Sequence, residues 1–106
     1  KGITWYLIND LKRVQHICQA VSPEWQKSCF SNASQEIIEE GGGARASVRR
    51  AVAFCDEAGT SISKDCVGQL LRQAGYFSEK GSAARSSYCS QLPLQQNESC
   101  LEMAHQ

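Results

Sequence analysis

The sequence predicts an all-α fold: three tandem helical hairpins, each clamped by a disulfide, forming a short α-solenoid or a six-helix bundle. Three observations lead there. The six cysteines form three pairs of identical separation, Cys18 and Cys29, Cys55 and Cys66, Cys89 and Cys100. The pairs recur at steps of 37 and 34 residues with matching neighbours: Ile17, Phe54 and Tyr88 before the first cysteine, Phe30, Val67 and Leu101 after the second. Between them, apolar residues return at helical spacings of three and four. A period in the thirties with repeating flanks marks a stack of helix pairs, because one pair cannot bury its apolar face alone. The units run about 3–40, 44–77 and 81–106, as repeats of a single helical domain.

In the first unit, Ile3, Leu7, Leu11, Val14 and Cys18 define one face of a helix. Ser22-Pro23 interrupts it, and Ser22 is placed to cap the helix that follows. That second helix runs to Glu36, Glu39 and Glu40, an acidic and solvated end, and "GGG" closes the unit as a turn. In the second unit, Val48, Ala51, Val52 and Cys55 repeat the pattern, Gly59-Thr60 breaks it, and Ser63 is the expected cap of a helix carrying Val67, Leu70, Leu71, Ala74 and Phe77. The third entry, "EKGSAARSS", matches "EEGGGARAS" of the second, so the glycine run reads as a native turn rather than a linker. Cys89 then ends a helix, Leu92-Pro93-Leu94 reverses the chain, and Asn97 is a candidate cap before Cys100.

The first cysteine of each pair thus falls in the last turn of helix A, and the second is expected in the first turn of helix B. Antiparallel helices joined by a short loop bring such turns to disulfide distance, which selects the pairing Cys18–Cys29, Cys55–Cys66 and Cys89–Cys100. Each short closed loop contributes about 3 kcal/mol in the chain-entropy picture, comparable in sum to the whole stability of a small domain. A rival arrangement places both cysteines on one continuous helix, similar to the twin Cys-x9-Cys hairpins of the mitochondrial intermembrane space. Pro23, Gly59 and Pro93 between the cysteines disfavour it.

The period and the helix pairs resemble tetratricopeptide and Sel1-like repeats as a class. The small-residue and aromatic signatures of those families are absent at their offsets, so the resemblance carries no residue across.

Composition narrows the function. With 106 residues the core is modest, and staples compensate for that. An even cysteine count points to an oxidising, extracytoplasmic setting (secreted, periplasmic or extracellular), with the intermembrane space second. The 11 basic and 11 acidic residues cancel, so net charge gives no help in binding nucleic acid. No apolar run reaches the roughly 18 residues of a membrane span. Lys1 in place of an initiator methionine suggests a processed product or an excised domain. The sequons at Asn32 and Asn97 carry little weight, since Ser and Thr supply 15 residues and chance matches are easy.

Catalytic and metal readings find no support in spacing. Structural zinc sites favour two to four residues between paired ligands, and no Cys-x2-Cys occurs. His16 lies two residues from Cys18 and would point elsewhere on a helix; His105 stands near the end of the sequence. The glycine run lacks a phosphate-loop frame. The repeating feature beyond cysteine is basic: Lys12 and Arg13 precede Cys18 by six and five residues, Arg49 and Arg50 precede Cys55 likewise, and Arg85 precedes Cys89 by four. Stacked in register, they would form a ladder for an acidic protein partner. Trp25, in the clamp loop, is a further candidate contact, and Trp5 or Tyr6 could cover the first hairpin. These features point to a non-catalytic protein-interaction or scaffolding module that needs no cofactor or metal. A helical carrier enclosing an apolar ligand and a thiol–disulfide redox protein are the alternatives.

Overall fold

The computed structural model describes residues 10–104, which form six α-helices: α1 (Leu11–Ala20), α2 (Pro23–Glu40), α3 (Arg45–Asp56), α4 (Thr60–Phe77), α5 (Ala83–Ser90) and α6 (Leu94–Glu102). Ile3, Trp5, Tyr6, Leu7 and His105 lie outside the described residues. The fold is all-α, as three hairpins, α1–α2, α3–α4 and α5–α6. Disulfides link Cys18 to Cys29, Cys55 to Cys66 and Cys89 to Cys100, with Cα separations of 5.4, 5.5 and 5.6 Å.

The second cysteine of each pair sits in the second turn of helix B, one turn later than expected, because each B helix starts six residues before it. The connection explains the shift. From Cys18 the chain continues for the rest of α1, about 3 Å, and then through extended Val21 and Ser22, about 7 Å more. Helix α2 must climb back about 9 Å, six residues, before it is level with Cys18 again. The expected caps change accordingly. Ser22 occupies the N-cap of α2 without a side-chain capping bond, whereas Ser63 and Asn97 lie inside α4 and α6, whose N-caps are Gly59 and Pro93.

Ser63 and Asn97 share a repeat position with Gln26, three before the second cysteine. At two of the three positions the amide serves the preceding helix. Gln26 Nε2 donates to the Gln19 and Val21 carbonyls at 3.0 and 3.2 Å, and Asn97 Nδ2 to the Cys89 carbonyl at 3.0 Å. These bonds serve carbonyls at the helix C-terminus, the Cys89 carbonyl accepting also from the Leu92 amide at 3.1 Å. Asp10 caps α1 by accepting from the Arg13 amide at 3.2 Å.

Packing arranges the helices in two rows. The even helices lie side by side, α2 beside α4 and α4 beside α6; α3 lies against α5 and shares a groove with α1. Substantial contacts among the described residues run within hairpins and between neighbouring ones, as in a stack. The core between the rows contains Val14, Phe30, Ile38, Val48, Phe54, Leu70 and Tyr88 with five of the six cysteines, Cys29 being half-buried. Phe30 and Phe54 join the first two hairpins with ring centroids 5.3 Å apart, and Phe77 stacks on Tyr88 at 6.4 Å. Lys27 to Asp65 at 3.4 Å and Gln69 to Gln35 at 3.3 Å link α2 to α4.

The glycine run is a built turn. Gly42 and Gly43 have φ of +60° and +78°, a region that disfavours side chains, and a Cβ on Gly43 would lie 2.8 Å from Phe77 Cβ. A Cβ on Gly41 would collide with Ser47.

Candidate functional site

The basic residues lie on the odd-numbered row. Lys12 and Arg13 are exposed on α1, and Arg49 and Arg50 on α3. The repeat step of 37 residues places Lys12 at the position of Arg49 and Arg13 at that of Arg50. Arg49 Nε donates to Gln91 Oε1 at 3.1 Å, which fixes the direction of its guanidinium.

Arg85 departs from the expected ladder: it is fully buried. It stands four residues before its cysteine, and the equivalent positions in the other units, Val14 and Ala51, are also at 0% exposure. The offset of four, against five and six for the other basic residues, is a core position, and that signal was present in the sequence. Its guanidinium is held by the ends of two helices. Nε donates to Ser78 Oγ at 2.9 Å and Nη2 to the Ser78 carbonyl at 2.7 Å, just past α4. Nη1 donates to the carbonyls of Cys100, Leu101 and Met103 at 3.0, 3.4 and 2.6 Å, where α6 ends. Carbonyl ends of helices carry partial negative charge, so two C-termini stabilise one cation. The outward positions of α5, Ala83, Ala84, Ser86 and Ser90, are neutral, so the basic surface spans two hairpins rather than three.

Charge is divided between the rows although the chain has none overall. The helices α1, α3 and α5 hold six basic residues and one acidic; α2, α4 and α6 hold three basic and seven acidic. Glu39 and Glu40 are exposed at the end of α2, while Glu36 is half-buried and its Oε2 has no hydrogen-bond partner. Near the end of α6, a hydrogen bond from Lys80 at 2.8 Å, reinforced by its charge, holds the Glu102 carboxyl below its ordinary pKa.

Between α1 and α3 runs a groove of about 520 Å³, with Lys12, Gln15, His16 and Gln19 on one wall and Ala53 and Glu57 on the other. Leu11 and buried Phe54 form its floor. His16 is a surface residue of this wall. Trp25 lies in the first turn of α2 rather than in the loop, and it is 62% exposed. It belongs to the other row, apart from the basic pairs.

Two larger clefts combine polar side chains with apolar surface. One of about 750 Å³, at the tips of the second and third hairpins, includes Asp56, Ser63, Lys64, Gln95 and Gln96, with Val67 and Pro93 its apolar members. Another of about 660 Å³ lies between α2 and α4, lined by Gln35, Glu39, Gln69, Arg72 and Gln73 beside Tyr76 and Phe77. Tyr76, 63% exposed, had no distinguishing sequence pattern. Among the described residues no group of three or more His, Cys, Asp or Glu side chains is placed to hold a metal ion, and no helix is long and apolar enough to cross a membrane. All six cysteines are in disulfides.

Comparison with protein-family models, with curated proteins and with solved structures finds no match.

Proposed function

We propose that this chain is a non-catalytic protein-interaction or scaffolding module, a short α-solenoid of three repeats in one domain, working in an extracytoplasmic oxidising compartment. The observation that carries the reading is the division of charge between two rows of helices that disulfides hold rigid. A basic row attracts an acidic partner and an acidic row repels it, so a net-neutral chain gains an orientation for docking without general stickiness. Lys12, Arg13, Arg49 and Arg50 are the binding residues of this reading, with Trp25 as a separate aromatic contact. Three short clamps reduce the ordering lost on binding. A carrier of an apolar ligand is less well supported, because the clefts are open and their apolar surface is interrupted by charged and amide side chains such as Asp56, Lys64, Glu39 and Gln69. A redox role would require an accessible thiolate, and every cysteine is paired.

Photo-crosslinking residues at Ala46, beside the basic pairs, at Trp25 and at Lys64 test the reading in the extracytoplasmic fraction of cells that make the protein. Discrete protein adducts are expected from Ala46 or Trp25 and are lost when the disulfides are reduced. Absence of discrete adducts at all three positions overturns it.

A further inference from the structure

The cleft between α2 and α4 holds a polar group that folding leaves unused. Four of its five amide or charged side chains are bonded in one chain across the two helices: Arg72 Nη2 donates to Gln69 Oε1 at 2.8 Å, Gln69 Nε2 to Gln35 Oε1 at 3.3 Å, and Gln35 Nε2 to Glu39 Oε1 at 2.9 Å. Gln73, the fifth, is 5% exposed, and its amide bonds to no other described residue. A buried amide without a partner is costly, and an apolar side chain of similar size would serve folding at least as well. One turn on, exposed Tyr76 and its neighbour Phe77 give the cleft an aromatic wall beside this amide.

We propose that this cleft docks an extended, uncharged peptide segment of another protein, with the Gln73 amide bonded to the backbone of one residue and an apolar side chain of the segment against Tyr76 and Phe77. In an extended strand the N–H and C=O of one residue point to the same side, and a primary amide offers an acceptor and a donor side by side, so the two match as a pair. Arg72 and Glu39 are opposite in sign and each is already bonded within the cleft, so neither an acidic nor a basic segment gains over an uncharged one. A sugar ring fits less well, since it buries several hydroxyls that each need a partner, and one free amide cannot serve them. From Gln69 to Tyr76 the α4 wall runs about 10 Å, the length of about three extended residues. The inference rests on the interaction-module reading and adds to it a site on the even row, apart from Lys12, Arg13, Arg49 and Arg50, with the chemical class of its occupant.

The test uses the oxidised, isotope-labelled chain and N-acetyl-leucine methylamide, a probe with one such N–H and C=O pair and one apolar side chain. Proton–nitrogen NMR spectra are expected to show the side-chain amide signals of Gln73 moving in a saturable way, with a dissociation constant of about 1 mM for a ligand of this size. The same probe methylated on the leucine nitrogen lacks the donor and is expected to bind about fivefold to tenfold more weakly. Gln73→Leu, followed through the backbone amides of α4, is expected to weaken binding about tenfold without lowering the urea midpoint, because the chain itself makes no use of that amide. Tyr76→Ala, at an exposed position, is expected to weaken it about threefold, also with an unchanged midpoint. Lys12→Glu, on the odd row, leaves affinity within about twofold. No saturable shift at Gln73, or an affinity indifferent to both Gln73→Leu and Tyr76→Ala, overturns the proposal; shifts with glucose and none with the leucine probe overturn it in favour of a sugar. The wider reading falls separately, through the absence of crosslinked partners; adducts at Ala46 or Trp25 without a shift at Gln73 would sink this site alone.

Discussion

Replacing Arg85 by methionine tests whether one buried cation ties the third hairpin to the second. The side chain makes five contacts, two to Ser78 after α4 and three to the carbonyls of Cys100, Leu101 and Met103. A buried acceptor left without its donor costs about 1–3 kcal/mol, and of these acceptors the Cys100 carbonyl keeps the Met103 amide at 3.3 Å. Removing a guanidinium from water offsets several kcal/mol of this per ion. The net loss expected for Arg85→Met is about 3 kcal/mol, because the carbonyls of Ser78, Leu101 and Met103 each lose this donor while no charge is left behind. Methionine fills much of the space, so the loss comes mainly from carbonyls left without donors. Urea denaturation with the disulfides intact is the assay, and the midpoint is expected to fall by about 2 M. Arg85→Lys is expected to recover at most half, because one compact ammonium cannot serve the ends of α4 and α6 together. Native-state hydrogen exchange should locate the damage: amides of α6 lose protection, while those of α2 and α3 keep it until global unfolding. A midpoint drop below about 0.5 M, or equal loss of protection in all three hairpins, would refute the reasoning.

Three further outcomes follow from local geometry. Gly43→Ala adds a left-handed backbone cost to a 2.8 Å approach to Phe77 and is expected to cost about 2–3 kcal/mol, against about 1 kcal/mol for Gly42→Ala, which meets nothing within 4 Å; equal urea midpoints would contradict this. Asn97→Ala removes one of the donors to the Cys89 carbonyl and is expected to cost about 1 kcal/mol in thermal unfolding, as is Gln26→Ala in the first hairpin. Burial pushes the Tyr88 hydroxyl, which donates to the Leu70 carbonyl at 2.6 Å, well above its ordinary pKa, against a smaller opposing effect of Arg85. The folded chain therefore keeps a proton that the unfolded chain gives up. This contribution is full below about pH 10 and falls above it, by up to about 1.4 kcal/mol per pH unit. Tyr88→Phe should lose the bond, about 1 kcal/mol at neutral pH, and flatten the alkaline decline; parallel declines in the two proteins would exclude Tyr88 as its source.

The sequence by itself determined the hairpins and their clamps. A cysteine spacing interrupted by Pro23, Gly59 or Pro93 admits a short reversal, and chain connectivity then allows few pairings at bonding distance. It also held the turn at Gly41–Gly43, since its alignment with "EKGSAARSS" is local information. The offset of four from Cys89 already marked the position of Arg85 as a core one; what only tertiary structure decided was how a charge is accommodated there. Lys12, Arg13, Arg49 and Arg50 project to the surface, while Arg85, one helical step out of their register, turns into the core. Sequence shows that Arg85 is charged, whereas the carbonyl ends of α4 and α6 that make its burial tolerable come from segments up to 18 residues away. The caps followed the same rule: Asn97 was recognisable as a capping residue, but the helix it serves depended on where extended residues let α6 begin. Spacing along a chain records local geometry. The partner of a polar group, and therefore the face it presents, is settled when separate helices meet and each buried donor or acceptor must find its bond.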